Sequence, residues 1–393
     1  IPQPSGAKAT AGNLKQVLEQ MQANVHDDVC QVQCCRSLQM FLDVGLSQQL
    51  ALCRLQGAAT IVASMNMHKE NPDLQCYAVL SLTRLVEGCP EAQVAATRAG
   101  AASSIVETMR RFSDFDELQA CGATALAVLS RGCESATMAV CAASGPEVVL
   151  ASICRPYTGE AGEALQRGCE CLAIFLESKQ CFIPWIDLSE ALTGVMLIGP
   201  SAEVQIAACW AFEEMAKTEF AAATSIFEAG GVSAIISALS RLESPASVVE
   251  GCCRVLGAVA RATDAVGTHP LRAECLSAGA AKAVATAMTT ALQRCPEAPK
   301  AASRSIRASC ATIQALVGDD DESAAKVAAA GASKVLEAWQ SQHVQRSEPL
   351  QKCCIEALRC ICMRHCGQEL VEEALDAASI EQRERILHLI STR

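Results

Sequence analysis

Apolar positions recur along this chain at helical spacing, in blocks that resemble one another. Between Ser201 and Leu242, Val204, Ala208, Phe212 and Met215 fall 4, 4 and 3 residues apart, a spacing that a 3.6-residue turn gathers into one stripe. A short second helix is expected to end at Gly230. Gly231 then opens a third, on which Val232, Ile235, Ile236 and Leu239 repeat the spacing. Near the start, Leu14, Val17, Leu18 and Met21 predict a helix over 14–21. A block of this size cannot bury its stripe alone, so it must stack on copies of itself.

Two markers give the period. The first is a Val/Leu-Gln pair, at Val32-Gln33, Leu74-Gln75, Leu118-Gln119, Leu165-Gln166, Val204-Gln205 and Leu350-Gln351; its first five glutamines stand 42, 44, 47 and 39 residues apart. Related helices begin at Val248 and cover Ser305 to Leu316. The second is a glycine between two apolar stripes, at Gly57, Gly100, Gly145, Gly230, Gly279 and Gly331. Glycine suits a sharp helix-to-helix corner because it tolerates left-handed backbone and close approach. About eight units follow from the two markers together. The fourth replaces the glycine with CFIPWIDL, where Pro184 must end or start a helix. The expected layout is a flexible tail over 1–11 and one elongated array over 12–393, with residues 12–27 and 369–393 as incomplete capping units.

Composition narrows the function. Hydrophobic residues make up 51% and aromatics only 3%, so the core relies on Ala, Leu, Val and Cys. A formal charge of −11 argues against a nucleic-acid surface, which needs clustered Lys and Arg. The 24 cysteines sit inside apolar stripes without any C-x-x-C pair, and most of them read as reduced, small hydrophobes of an intracellular protein. No stretch reads as a membrane span, since Gly145-Pro146 breaks the most apolar window, Ala136 to Cys154. Ile1 is not methionine, and removal of an import peptide would account for it.

A period near 42, a helix of V-Q-x-x-A-x-x-A-[LF]-x-x-[LM] form and a following [AG]-G-[AGV] corner resemble the armadillo repeat over roughly Gly12 to the C-terminus. The resemblance implies an all-α fold, a right-handed α-solenoid of three-helix units whose Val-Gln helix lines a concave groove for extended peptides or helices of partner proteins. In importin-alpha, a member of that family, the groove carries a Trp and, four residues on, an Asn. Trp210 matches the tryptophan and Glu214 stands at the asparagine. The same two positions in other units are Leu38 and Leu42, Leu80 and Arg84, Thr124 and Val128, Cys171 and Phe175, and Arg254 and Ala258. No unit keeps the asparagine, which speaks against nuclear-signal binding. With only Arg84 and Arg254 basic, an acidic ligand is not favoured either.

The expected partner-binding residues are therefore Leu80, Arg84, Thr124, Val128, Phe175, Trp210, Glu214 and Arg254, with Phe175 and Trp210 as aromatic contacts on the inner wall. Phe212 belongs to the core stripe. Cys362, His365 and Cys366 can share a helix face, yet zinc usually needs four ligands and no second pair is present, so no metal or cofactor is expected. The acidic run Asp319 to Glu322 lacks the order of a calcium loop. Metalloprotease, nucleophile-elbow and phosphate-loop motifs are absent, and no catalytic residue is assigned. These readings describe a non-catalytic scaffold that binds a protein partner, without nucleic acid, small-molecule substrate or transmembrane segment, most simply in the cytoplasm. The alternative is a permanent subunit of a large, organellar, membrane-associated complex, as an imported mature chain.

Overall fold

The structure is a computed structural model and describes residues 11–42, 45–156, 162–180, 182–241, 244–294, 298–340, 344 and 347–362. These residues form twenty-one α-helices and no strand. The tail over 1–10 and the terminal cap over 369–393 lie outside them. The chain divides into two compact units, residues 1–184 and 185–393.

The first unit opens with α1 (Ala11–Ala23). Three triplets follow: α2 (Asp28–Leu42), α3 (Leu46–Arg54) and α4 (Gly57–Met67); α5 (Pro72–Val86), α6 (Pro90–Arg98) and α7 (Ala101–Arg111); α8 (Asp116–Ser130), α9 (Glu134–Ala142) and α10 (Gly145–Ile153). It closes on α11 (Gly162–Ser178). Like packs on like: α2, α5, α8 and α11 make one row, α3, α6 and α9 a second, α1, α4, α7 and α10 a third. The stripes read from the sequence face inward. Leu14, Val17, Leu18 and Met21 of α1 are all buried, as are Leu74, Ala78, Leu82 and Leu85 of α5, together with Met65 and Met109 from the third row. Each buried Leu or Met contributes about 1.5–3 kcal/mol from lost water contact, which is what holds short helices in place.

Buried glutamines tie one triplet to the next. The last carbonyls of a helix have no partner within it. Gln75 Nε2 donates to Met65 O at 2.8 Å and His68 O at 3.0 Å, closing the end of α4, while its Oε1 accepts from Thr108 Oγ1 at 2.6 Å. Gln31 does the same for α1 through Met21 O and Asn24 O, and Gln119 for α7 through Met109 O and Phe112 O. A second series caps the row of α5 and α8: Gln49 donates to Arg84 O and Glu87 O, Gln93 to Val128 O and Arg131 O. Within each series the spacing is 44 residues.

This geometry corrects the reading frame of two helices. In α2 the capping residue is Gln31, and Gln33 of the expected Val32-Gln33 pair is exposed. In α11, Gln166 bonds Glu170 at 2.8 Å and Leu165 takes the buried place that Gln75 holds in α5. Gly168 keys the same frame. A Cβ there would lie 2.4 Å from Ile153 Cγ2, just as one on Gly122 of α8 would lie 2.5 Å from Met109 Cγ.

The corners are of two kinds. Gly100 has φ 81° and is itself the left-handed residue before α7. Before α10 that role falls to Ser144, φ 61°, and Gly145 follows it because a Cβ there would meet Val140 Cγ1 at 2.4 Å.

The second unit begins at Trp185, directly after Pro184, with α12 (Trp185–Ile198). It continues through α13 (Ala202–Thr218), α14 (Phe220–Glu228), α15 (Gly231–Ser240), α16 (Ala246–Arg261), α17 (Pro270–Ser277), α18 (Ala280–Gln293), α19 (Pro299–Val317), α20 (Asp321–Gln340) and α21 (Glu348–Cys362). Here α13, α16, α19 and α21 form one row and α12, α15, α18 and α20 another. Val204, Ala208, Phe212 and Met215 are wholly buried. Hydroxyls stitch the row: Thr312 Oγ1 donates to Cys253 O at 2.6 Å and Ser305 Oγ to Ala246 O at 2.9 Å. The corner expected at Gly331 is not there. Helix α20 runs straight through it, because an alanine-rich flank carries the helix at a cost of about 1 kcal/mol for the glycine. Among the described residues no single helix is long and apolar enough to cross a membrane, and α9 meets α10 at 69°.

Candidate interaction surface

In both units the row of long helices buries one face and leaves a strip of side chains part-exposed. In the first unit the strip is set by the frame of α5: Leu80 is half-buried and Arg84 exposed, four residues further along the same face. Thr124 and Val128 occupy the equivalent places on α8, and both are half-buried. Thr124 bonds back to Ala120 O at 2.8 Å, so its methyl and not its hydroxyl is offered outward. Arg84 approaches Glu87 at 3.9 Å, an exposed pair worth little.

Phe175 is not part of this surface. It is fully buried in α11, as is Cys171. With α11 in the frame given by Gly168, the equivalent pair is Glu170, half-buried and held by Arg167 at 3.0 Å, and Ile174, which is buried. The frame of α2 likewise replaces Leu38 and Leu42, both buried, by Arg36 and Met40, both exposed. The guanidinium of Arg36 lies 5.3 Å from the ring centre of Tyr77 on α5, a cation–π contact across the strip. Between α5 and α8, Cys76 Sγ donates to Glu117 Oε1 at 3.7 Å. The neighbouring Cys121 thiol, with desolvation behind it, raises the Cys76 pKa.

In the second unit Trp210 of α13 is half-buried and Phe212 is core. Beside Trp210 lies a charge cluster the sequence reading had not assembled. Glu213, with a side chain only 10% exposed, meets Arg254 Nη2 of α16 at 2.7 Å and Lys217 Nζ at 2.7 Å. Lys217 also reaches Glu214 at 2.8 Å. Desolvation works against the Lys217 ammonium, but the bonds and charges of Glu213 and Glu214 outweigh it and raise its pKa. Trp210 and Arg254 thus sit on adjacent helices, with Arg254 held in place by a carboxylate from the tryptophan's own helix.

Trp210, Glu214 and Arg254 lie on the adjacent helices α13 and α16 of this unit, and Leu80, Arg84, Thr124 and Val128 on the adjacent α5 and α8 of the other. The offsets, two residues in α2 and one in α11, were legible only from the 44-residue glutamine spacing and the matched glycines. Glu213 carried no signal, since its register places it on the buried side. Among the described residues no three His, Cys, Asp or Glu side chains converge as a metal ion would require. His365, Cys366 and the side chain of Cys362 lie outside those residues.

No protein-family model matches the sequence, and no curated protein is significantly similar to it. Solved structures do match. An engineered protein, Northeast Structural Genomics Consortium target OR497, is similar with a TM-score of 0.59 at 18% identity, over 97% of this chain and 99% of that one. Two further engineered proteins, targets OR329 and OR366, match 63% of this chain with TM-scores of 0.51 and 0.52 at 22% and 20% identity. At such identities the likeness speaks for an all-helical, repeat-like fold alone.

Proposed function

We propose that this chain is an armadillo-like α-solenoid that acts as a non-catalytic binding protein, holding a segment of a partner protein along the face of its long-helix rows. One observation carries the reading: the half-buried Trp210 on α13 and, on the adjacent α16, an Arg254 that Glu213 of α13 fixes at 2.7 Å. Binding energy concentrates in aromatic and arginine side chains that are already partly desolvated and held in place, because little rotamer entropy is lost when a partner arrives. The strip over Leu80, Arg84, Thr124 and Val128 extends the same kind of surface in the first unit, mixing apolar and charged groups as a protein interface does.

The test is site-specific photo-crosslinking in cells. Crosslinkers at Trp210 and at Arg84 are expected to trap the same partner protein, and one at Lys282, exposed on α18, is expected to trap none. Capture from Lys282 alone would reject the surface. With the fold intact by circular dichroism, Trp210→Ala should weaken partner capture by about 2 kcal/mol, or some thirtyfold.

A further inference from the structure

We infer that the face built by α16, α19 and α21 takes an acidic, extended segment of the partner protein. The inference rests on the proposed function and adds the chemistry of what binds. The whole chain carries −11, yet this face is basic. Lys300, Arg304 and Arg307 follow one another at i, i+4 and i+7 along α19, all exposed. Arg254 and Arg261, seven residues apart and both exposed, flank them on α16, and Lys352 does so on α21. The carboxylates on these three helices are Glu250, which meets Arg304 at 3.6 Å, Glu348 and Glu356.

The floor between these cations is small. Ala258 of α16 and Ala308, Ala311 and Ala315 of α19 put no large side chain there, and Ala311 is exposed. Gly257 has the same effect at one end. A Cβ on it would lie 3.2 Å from Arg261 Nη1 and 3.4 Å from Thr312 Oγ1, so the glycine is what lets that guanidinium lie between α16 and α19. A shallow floor with cations at its margins accommodates an extended backbone and rewards carboxylates pointing to either side. Guanidinium groups suit this task, because their donors match a carboxylate two at a time. Glu213 neutralises Arg254 and Glu250 neutralises Arg304 in part, which leaves Arg307, Arg261, Lys300 and Lys352 to set the sign of the field.

The experiment is a fluorescence-anisotropy titration of the whole chain with a labelled peptide of alternating Glu and Ala, and with its Lys-Ala counterpart. The Glu-Ala peptide should bind, weaken as salt is raised, and lose about tenfold or more in affinity to Arg304→Glu/Arg307→Glu. Lys282→Glu on α18, the same kind of charge change on an exposed side chain away from the long-helix row, should leave its affinity within about twofold. Equal binding by wild type and the double variant, no binding by wild type, preference for the Lys-Ala peptide, or tighter binding of heparin or duplex DNA would each overturn the inference. If Trp210 crosslinks a partner that Arg304→Glu/Arg307→Glu holds unchanged, the binding surface stands and the acidic class falls.

Discussion

At the scale of single residues, the side chain that does most for the first unit is an uncharged amide. Gln75 uses three of its four hydrogen-bonding positions, both amide protons on the Met65 and His68 carbonyls that end α4 and one oxygen lone pair for Thr108, and is itself buried. Removing it orphans buried carbonyls, and that is more costly than the net worth of the bonds. Gln75→Ala is expected to destabilise the first unit by about 2 kcal/mol, with faster amide exchange at the end of α4. Gln166→Ala, which loses only a part-exposed bond to Glu170, should cost less than about 0.5 kcal/mol in the same denaturant titration. The two residues are indistinguishable as Leu-Gln pairs in the sequence. Their fates differ because α11 enters its row one residue out of step.

At the scale of elements, the corners between the second and third helices of a triplet combine two separate demands. One residue must turn left-handed and the next must let the preceding helix approach. Gly100→Ala meets only the first and should cost roughly 1 kcal/mol. Gly145→Ala meets the second: its Cβ would press on Val140 Cγ1 and, at 3.0 Å, on the Val140 carbonyl, for about 1–3 kcal/mol. A double-mutant cycle separates them. Val140→Ala should recover part of the loss at Gly145 and none at Gly100. The same logic explains why Gly331 marks no corner, since nothing around an alanine-rich helix obliges it to stop there.

At the scale of the whole molecule, eleven of the described cysteines are buried and behave as core, while Cys154 is exposed. Burial pushes the thiols of Cys35, Cys169, Cys253 and Cys275 up to about 12. Cys209 and Cys252 pack sulfur to sulfur at 3.7 Å, and Cys310 and Cys354 at 3.8 Å. Unfolding releases these groups to an ordinary value near 9. A raised folded value means the unfolded chain ionises first, so stability is full below pH 9 and is lost as pH climbs from about 9 toward 12. The unfolding midpoint should fall steadily over that window. Mass mapping at neutral pH should show alkylation of Cys35 and Cys169 only after denaturation. A flat profile, or labelling of those two thiols in the native protein, would contradict their place in the core.

How much of this was legible follows from which interactions are local. Helix positions, inward stripes such as Val204 to Met215, the helix start after Pro184 and the burial of Phe212 are written into apolar spacing, because a 3.6-residue period is enforced by the backbone itself. The rotation of each helix against its row neighbours is not local. It is set by whether a glycine admits Met109 or Ile153 and by which glutamine reaches a carbonyl ten residues back. That one-residue rotation of α11 moved Phe175 inward and put the half-buried Glu170 on the strip. Packing likewise drew Glu213 onto Arg254 and aligned the cations of α16, α19 and α21 on one face, since charges distant along the chain become neighbours only once the helices have stacked.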